Sequence, residues 1–413
     1  MKKHFTMALT LLLVLALCVG CAAAPAQQAA PAAAPAEAPA AEPAAEAPAA
    51  EPAAAAAEPI KIGAILPLSS SAGLNGAKIR SGMEFAAGEI NASGGLNGSQ
   101  IELIFEDIES SNPSLALSAA EKLINQDKVN IIVGCYGSSA SLAVLPVCEE
   151  YGVVMLEPVA TSAALTSGSE WIFRISSTNS IDAEKLGAYL PGFGFNNIAY
   201  LPVDNDWGAS VVKSYVPILE GAGATTVLNM PITIGETNYL SQLTKIENSG
   251  ADSIIITQDI ESNATLIRQI VEAGMENFTI LSTSGNNASM VYSLVGDAAA
   301  GCYFVEYYQE EGMEGGAVSE ANAAFVKAFK AAYPDTPADY FTVQGYSAVN
   351  VIKEAVAIAG SAERTAIRDA MREVKYDGLR GLIEFDEFGQ SHGDVVLTQL
   401  QEGGVVKVID YAK

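Results

Sequence analysis

The side chains best suited to chemistry lie in the stretch GCYGSS at residues 134–139, between an apolar run and a helical pattern. Cys135, Ser138 and Ser139 carry nucleophilic groups, and such a nucleophile needs a base, usually histidine, within hydrogen-bond reach. Outside the first twenty residues the chain has one histidine, His392, in the polar turn GQSHGD. A hydrolase using Ser138 or Cys135 therefore requires His392 to reach this stretch.

Phosphate and metal chemistry are not indicated by this stretch. GCYGSS matches neither of the glycine-rich phosphate-binding patterns, and the chain contains no Gly-Lys dipeptide. Metal sites need clusters of His, Cys or carboxylate side chains, whereas these residues are scattered here. We therefore expect no metal, no cofactor and no enzymatic activity, which leaves capture of an anion without bond making.

Two neighbouring hydroxyl-bearing segments suit an anion. Ser138 and Ser139 open the helix predicted over 139–150, and a helix N-terminus offers unpaired N–H groups and partial positive charge. Thr161 and Ser162 follow the next predicted strand in EPVATSAALT. These hydroxyls are equally well explained as plain helix caps, so the sequence leaves both interpretations open.

The elements that must position these residues alternate along residues 59–413. Short Val/Ile-rich runs, each followed by a helical pattern, predict βαβ units around parallel sheets, whose ligands bind outside the carboxyl ends of the strands. The strands are predicted at 60–66, 100–107, 129–134, 152–157, 197–201, 224–230, 253–257 and 278–281, with further alternation at 382–386, 394–400 and 405–410. Helices are predicted at 76–91, 114–126, 139–150, 208–221, 237–248, 262–273, 319–332, 342–359 and 364–374.

The N-terminal region is not predicted to fold. Residues 1–20 have early positive charge and an apolar run, which is typical of a secretory signal peptide, and Cys21 follows Gly20 as in bacterial lipoproteins. We expect Cys21 to be lipidated and to anchor the protein to the cell membrane; ordinary cleavage with a free Cys21 is the alternative. Residues 21–58 are rich in Ala, Pro and Glu without large apolar side chains, which predicts a disordered stalk.

The net charge of the chain limits the classes of partner that it could bind. The net charge is −26, and loss of the leader would also remove Lys2 and Lys3. An excess of negative charge argues against nucleic acid as a partner.

The three remaining cysteines, Cys135, Cys148 and Cys302, cannot all pair internally. We expect three free buried thiols, although one disulfide would also fit.

Several motifs in order resemble the leucine/isoleucine/valine-binding family of type I periplasmic binding proteins, the substrate-binding proteins of branched-chain amino acid ATP-binding cassette (ABC) transporters. The resemblance covers essentially residues 59–413. It rests on the block from IKIGAILPLSSS to EINASGGLNG, on IIVGCYGSS, VVMLEPVATSAALT and DNDWGAS, and on GDAAAGCYFVEYY and FDEFGQSHGD.

The resemblance implies an α/β fold of two Rossmann-like lobes with parallel sheets, joined by a three-strand hinge, with the ligand in the cleft between the lobes. The N-terminal lobe is expected at 59–178 plus 309–384. The C-terminal lobe is expected at 179–308 plus 385–413.

The resemblance also implies roles for individual residues. Ser138 and Thr161 would bind the carboxylate of the ligand, helped by backbone near Tyr136 and Val159. Trp207 would close over the ligand from the second lobe, and Phe341 would line the hinge side.

Two departures from the family concern the rest of the pocket. The family position that binds the ligand's ammonium with a Glu is Ser284 here, which cannot neutralise a positive charge. Asp259 or Asp206 would be a replacement, although each is equally well a solvated loop carboxylate. Where family members usually carry an aromatic residue in the first loop, this chain has Asn75. We therefore expect the side chain of the ligand to differ from that of a branched-chain amino acid.

The sequence therefore predicts an extracytoplasmic, lipid-anchored solute-binding protein. Lobe closure would capture an amino acid or a related small carboxylate and deliver it to an ABC permease in the membrane. A surface sensor of the same fold that signals to a receptor is the alternative, and a Ser/Cys hydrolase is the third hypothesis.

Overall fold

A computed structural model describes residues 58–69, 72–108, 112–316 and 318–410. The predicted signal peptide, the lipidation site Cys21 and all of the stalk except Glu58 lie outside these residues. Within the described part, no helix combines the length and apolarity needed to cross a membrane.

The first sheet is entirely parallel, in the order β2-β1-β3-β4-β5. Its inner strands are short apolar runs such as IIVG, buried along almost their whole length because helices cover both faces, whereas the edge strand β2 is mostly half-buried. The strands are β1 (Ile60–Leu66), β2 (Ile101–Asp107), β3 (Ile131–Gly134), β4 (Val154–Glu157) and β5 (Ile172–Arg174). The helices that connect the first four are α1 (Gly73–Ala92), α2 (Pro113–Lys122) and α3 (Ser138–Tyr151).

A second sheet begins after the helix α4 (Asn179–Leu186) and repeats the alternation. Five of its strands are parallel, in the order β10-β9-β8-β6-β7. They are β6 (Asn197–Pro202), β7 (Thr225–Asn229), β8 (Ser253–Thr257), β9 (Thr279–Ser282) and β10 (Tyr303–Glu306). The intervening helices are α5 (Asp206–Gly221), α6 (Leu240–Glu247), α7 (Ile260–Glu272) and α8 (Ala288–Val295).

The chain then returns to the first sheet and crosses once more. Helix α10 packs on α1 and helix α11 lies near β4. The hairpin β11–β12 follows, and β13 and β14 extend the second sheet as antiparallel strands beside β10. The elements are α9 (Glu320–Ala332), α10 (Tyr340–Ala359), α11 (Arg364–Met371), β11 (Tyr376–Gly378), β12 (Gly381–Ile383), β13 (Val396–Leu400) and β14 (Val406–Val408).

Glycines set the distance between α1 and α10. A Cβ atom on Gly82 would lie 2.0 Å from the carbonyl oxygen of Thr342, and one on Gly345 would lie 2.0 Å from that of Ile79. The two backbones are therefore in direct contact at this crossing, which only glycine permits. The N-terminal turn of α10, which carries Phe341, is held against α1 in this way.

Candidate ligand-binding cleft

One cavity is lined by the loops that follow the parallel strands of both sheets. It holds about 720 Å³ of space, counted with its open mouth. The first sheet contributes residues after β1, β3 and β4, and the second contributes residues after β6, β7, β8, β9 and β10. The lining residues are Ala72, Tyr136, Gly137, Ser138, Ser139, Val159, Ala160, Thr161, Asn205, Trp207, Ile234, Asp259, Ser284, Gly285, Tyr307, Tyr340 and Phe341. Nine of the ten residues predicted to bind ligand are on this wall; Asn75 is not.

Ser138 presents a hydroxyl donor at the start of α3. The N-cap of the helix is Gly137, and no side chain caps it, so Ser138 is not the plain cap that the sequence left open. Its Oγ accepts the Ser162 N–H at 3.3 Å, which leaves the hydroxyl proton for another partner. The first N–H groups of α3 have no carbonyl acceptor within the helix, because no helical turn precedes them. Tyr136 reaches this turn with a left-handed φ of 66°.

Thr161 lies in a loop that two buried charged side chains hold in place. The Glu157 carboxylate accepts the N–H groups of Val159 and Ala160 at 3.0 Å each and the Ser141 hydroxyl at 2.6 Å. The Arg174 guanidinium donates to the Ala160 carbonyl at 3.2 Å. It also donates to Ser162 O, Thr166 Oγ1 and Gln390 Oε1. Burial raises the pKa of Glu157 and lowers that of Arg174 to about 10.

Ser162 differs from its neighbour in role. Its hydroxyl accepts the Ala164 N–H at 3.4 Å and caps the short 3₁₀ turn Ala163–Thr166. Ser162 is therefore a cap, as one interpretation of the sequence held, whereas Thr161 carries a hydroxyl on the cavity wall.

Aromatic rings form much of the remaining wall. The Tyr136 and Phe341 rings stack with centroids 6.2 Å apart, and Trp207 lies over Gly285, whose added Cβ would be 3.1 Å from the indole. Asn75 is buried behind this layer and donates to the Tyr136 hydroxyl at 3.0 Å. Its predicted direct contact with ligand does not agree with this position, and Asn75 instead orients Tyr136.

The two candidate carboxylates for an ammonium are placed differently. Asp259 lines the cavity and caps α7, accepting Ser262 N–H and Oγ at 3.0 Å each. Asp206 is exposed at the start of α5 and does not line the cavity. Ser284 is buried on the wall, and its contact with a ligand stays a prediction.

Direct contacts join the loops of the two sheets at the cavity rim. The Asp206 N–H donates to Ser139 Oγ at 3.4 Å, and the Ala163 N–H donates to Ser210 Oγ at 3.4 Å. These bonds are long and few, so they bring the rims together without locking them.

The requirement of the hydrolase hypothesis is not met. His392 is exposed, pairs with Asp386 at 2.9 Å and does not line the cavity. Burial raises the pKa of the Cys135 thiol far above its ordinary value, which disfavours a thiolate. Cys135, Cys148 and Cys302 are all buried and free. The described residues hold no group of three or more metal-ligating side chains.

Sequence reasoning missed several wall residues. Tyr307 follows β10 and Tyr340 begins α10, while Asn205 and Ile234 lie after β6 and β7. The supporting pair Glu157 and Arg174 was also missed. The strand-like run YFVE before Tyr307 was a usable signal, since every other parallel strand of this sheet was predicted and carries a wall residue after it.

The chain matches the periplasmic binding protein family over residues 59–405. That match covers most of the sequence, and it agrees with two parallel sheets and a cavity at their strand ends. The chain therefore belongs to the periplasmic binding protein family. Its members are extracytoplasmic solute-binding proteins and not enzymes.

Individual relatives agree with this assignment. The leucine-, isoleucine-, valine-, threonine- and alanine-binding protein of Pseudomonas aeruginosa is 27% identical over 338 residues, covering 81% of this chain and 87% of that protein. The crystal structure of a leucine-binding protein from Thermotoga maritima is 25% identical with a TM-score of 0.76, covering 85% of this chain and 97% of that one. A solute-binding protein of an ABC transporter from R. palustris, in complex with benzoate, shares the fold at 22% identity and a TM-score of 0.76, covering 85% and 95%.

Proposed function

We propose that this protein captures an amino acid or a closely related small carboxylate for import by an ABC transporter. The observation that carries the proposal is the pair of hydroxyls from Ser138 and Thr161 beside the N-terminus of α3, on one wall of the cleft. Hydroxyl and N–H donors at a helix N-terminus suit a carboxylate. Relatives named for branched-chain amino acid binding support the same solute class.

The mechanism would be closure of two lobes over the solute. The first lobe would comprise 59–178 plus 309–384, and the second 179–308 plus 385–413. Ser138 and Thr161 would hold the carboxylate, while Trp207, Asp259 and Ser284 would contact the solute from the second lobe. A solute that contacts both lobes binds the closed form better and so shifts the population towards it.

Delivery would take place at the membrane surface. A lipid on Cys21 would anchor the protein, and residues 22–58 would act as a tether, since they contain only Ala, Pro, Gln and Glu. An ABC permease would receive the solute and supply the transport energy, because this chain lacks a nucleotide-binding loop.

A thermal-shift screen of amino acids, their amides and small organic acids tests the proposal. A true solute at a hundredfold excess over its dissociation constant adds about 2.7 kcal/mol of stability. Benzoate and hydroxybenzoates belong in the same screen because of the aromatic wall. If no carboxylate of any kind raises the melting temperature, the proposed solute class is wrong.

A further inference from the structure

The carboxyl group of Asp182 is buried behind Tyr307, a residue of the cavity wall. Asp182, on α4, is fully buried and accepts hydrogen bonds from Ser177 Oγ at 2.9 Å and Tyr307 OH at 2.6 Å. Among the described residues it forms no salt bridge. Burying a carboxylate without a cation is costly, so the position of Asp182 calls for an explanation.

Two hydroxyls connect Asp182 to the cavity. Tyr307 and Ser284 both line it. The Ser284 hydroxyl is buried and makes no hydrogen bond of normal geometry within the described residues, yet it lies close enough to Asp182 to lower the pKa of that carboxyl. Ser284 is thus a buried polar group on the cavity wall that is not satisfied by the protein, and a solute group would satisfy it.

The hydrogen-bond partner that each hydroxyl has within the protein decides whether that hydroxyl can donate or accept a hydrogen bond towards the solute. Ser138 accepts the Ser162 N–H, so it offers a proton to the cavity. Tyr307 gives its proton to Asp182, so the Tyr307 hydroxyl offers lone pairs, and the Ser284 hydroxyl lies beside the same carboxyl. One wall therefore suits a carboxylate, and the other suits a hydrogen-bond donor with positive charge.

We propose that Asp182, acting through Ser284 and Tyr307, recognises the amino group of the solute and selects amino acids over the matching acids without an amine. The inference rests on the proposed function and deepens it. Asp182 is a positioning residue: it fixes the Tyr307 hydroxyl as an acceptor and places a negative charge behind both hydroxyls. It thereby supplies the charge that Ser284 alone lacks.

The surroundings of Asp182 are consistent with a site for a cationic group. Lys185, on the same helix, lowers the pKa of Asp182 electrostatically but donates its hydrogen bond to the Gly393 carbonyl at 2.9 Å. Arg174 acts on Asp182 electrostatically but donates to the groups of the Thr161 loop. Tyr215 and Tyr340 are the other titratable groups that face it. Burial raises the pKa of Asp182 to about 7, so binding of an ammonium group nearby would cause Asp182 to release its proton near neutral pH.

The test compares matched solutes by calorimetry on the full-length protein. The probes are L-leucine with 4-methylpentanoate, and L-phenylalanine with 3-phenylpropanoate, each at pH 6 and pH 8. We expect the amine-bearing member to bind about 10- to 100-fold more tightly. Its affinity should rise roughly tenfold from pH 6 to pH 8, because the fraction of ionised Asp182 rises over that range. Asp182→Asn should remove both the preference and the rise.

Controls separate this proposal from its alternatives. Asp259→Asn should keep the pH dependence, and Tyr307→Phe should weaken the amine preference if Asp182→Asn does not fold. Glu306 is also buried and Glu310 is half-buried, so the pH effect must vanish in Asp182→Asn specifically. Equal binding of the acids that lack an amine, or a preference that survives in these variants, overturns the inference alone. Failure of every carboxylate to bind overturns the proposed function together with it.

Discussion

The Ser162 N–H donates to Ser138 Oγ at 3.3 Å. This bond joins the loops after two adjacent parallel strands and leaves the Ser138 hydroxyl proton free to donate towards the cavity. It follows that the two loops are already held together before any solute arrives, which reduces the cost of ordering on binding.

Ser138→Ala and Thr161→Ala should each weaken binding of the solute by about 10- to 100-fold, since a hydrogen bond to a charged group contributes about 1.5–3 kcal/mol. The double variant should lose tight binding while keeping its circular dichroism spectrum. Calorimetry measures the affinity. Ser118→Ala, on the exposed face of α2, is the matched control and should bind like the parent; unchanged affinity in the double variant would contradict the carboxylate assignment.

Trp207 should report solute binding by fluorescence. The chain has two tryptophans, and Trp171 lies outside the cavity beneath Arg368, 4.7 Å from its ring centroid. In a Trp171→Phe variant, saturating solute should shift the emission because the Trp207 environment changes. An emission spectrum that stays constant at saturation would place Trp207 out of contact with the solute.

Glu157→Ala should lower the free energy of unfolding by about 2–4 kcal/mol, because two backbone N–H groups and the Ser141 hydroxyl lose a buried partner. Solute affinity should fall as well, since Thr161 is on the same loop. Denaturant unfolding measures the first effect. Glu149→Ala, exposed on α3, should change stability by no more than about 0.5 kcal/mol.

Gly82→Ala should lower the free energy of unfolding by about 3 kcal/mol, because the added Cβ would lie 2.0 Å from the Thr342 carbonyl oxygen. Gly88 is in the same helix with nothing within 4 Å of an added Cβ. Gly88→Ala should therefore be neutral or stabilise by up to about 1 kcal/mol. Equal effects of the two substitutions would argue against the backbone contact.

Stability should decrease as the pH rises from about 5 to about 8.5. Burial, followed in importance by repulsion from Glu310, raises the pKa of Glu306, and burial with repulsion from Asp339 raises that of Glu310. In this range the unfolded chain has released protons that the folded protein keeps, so the slope is negative. Glu306→Gln should flatten the melting temperature against pH. Glu311→Gln, which is exposed, should leave the slope unchanged.

The sequence predicted the fold well where strands are long and apolar. The bounds of β1 at 60–66 coincide with the prediction. It did not predict β5 and β10, because β5 has only three residues, and β10 is a four-residue run that ends in Glu306. The antiparallel strands beside β10 were predicted as alternating segments without a partner, since pairing between distant segments is not visible in local periodicity.

The residues of the binding site likewise divide into those that the local sequence predicts and those that it does not. Ser138 and Thr161 were predicted because hydroxyls at the tips of neighbouring parallel strands are visible in sequence order. Tyr307 was missed together with its strand. The Arg174 contact with Gln390 joins residues 216 positions apart, and no local pattern predicts such a bond.

The glycine crossing of α1 and α10 has a consequence for how solute preference changes during divergence. With main chain against main chain, there is no intervening layer of side chains whose thinning or thickening could shift the helices. The part of the cavity wall that bears Phe341 therefore keeps a fixed position. New preferences would have to arise by exchanging the side chains that face it across the cleft.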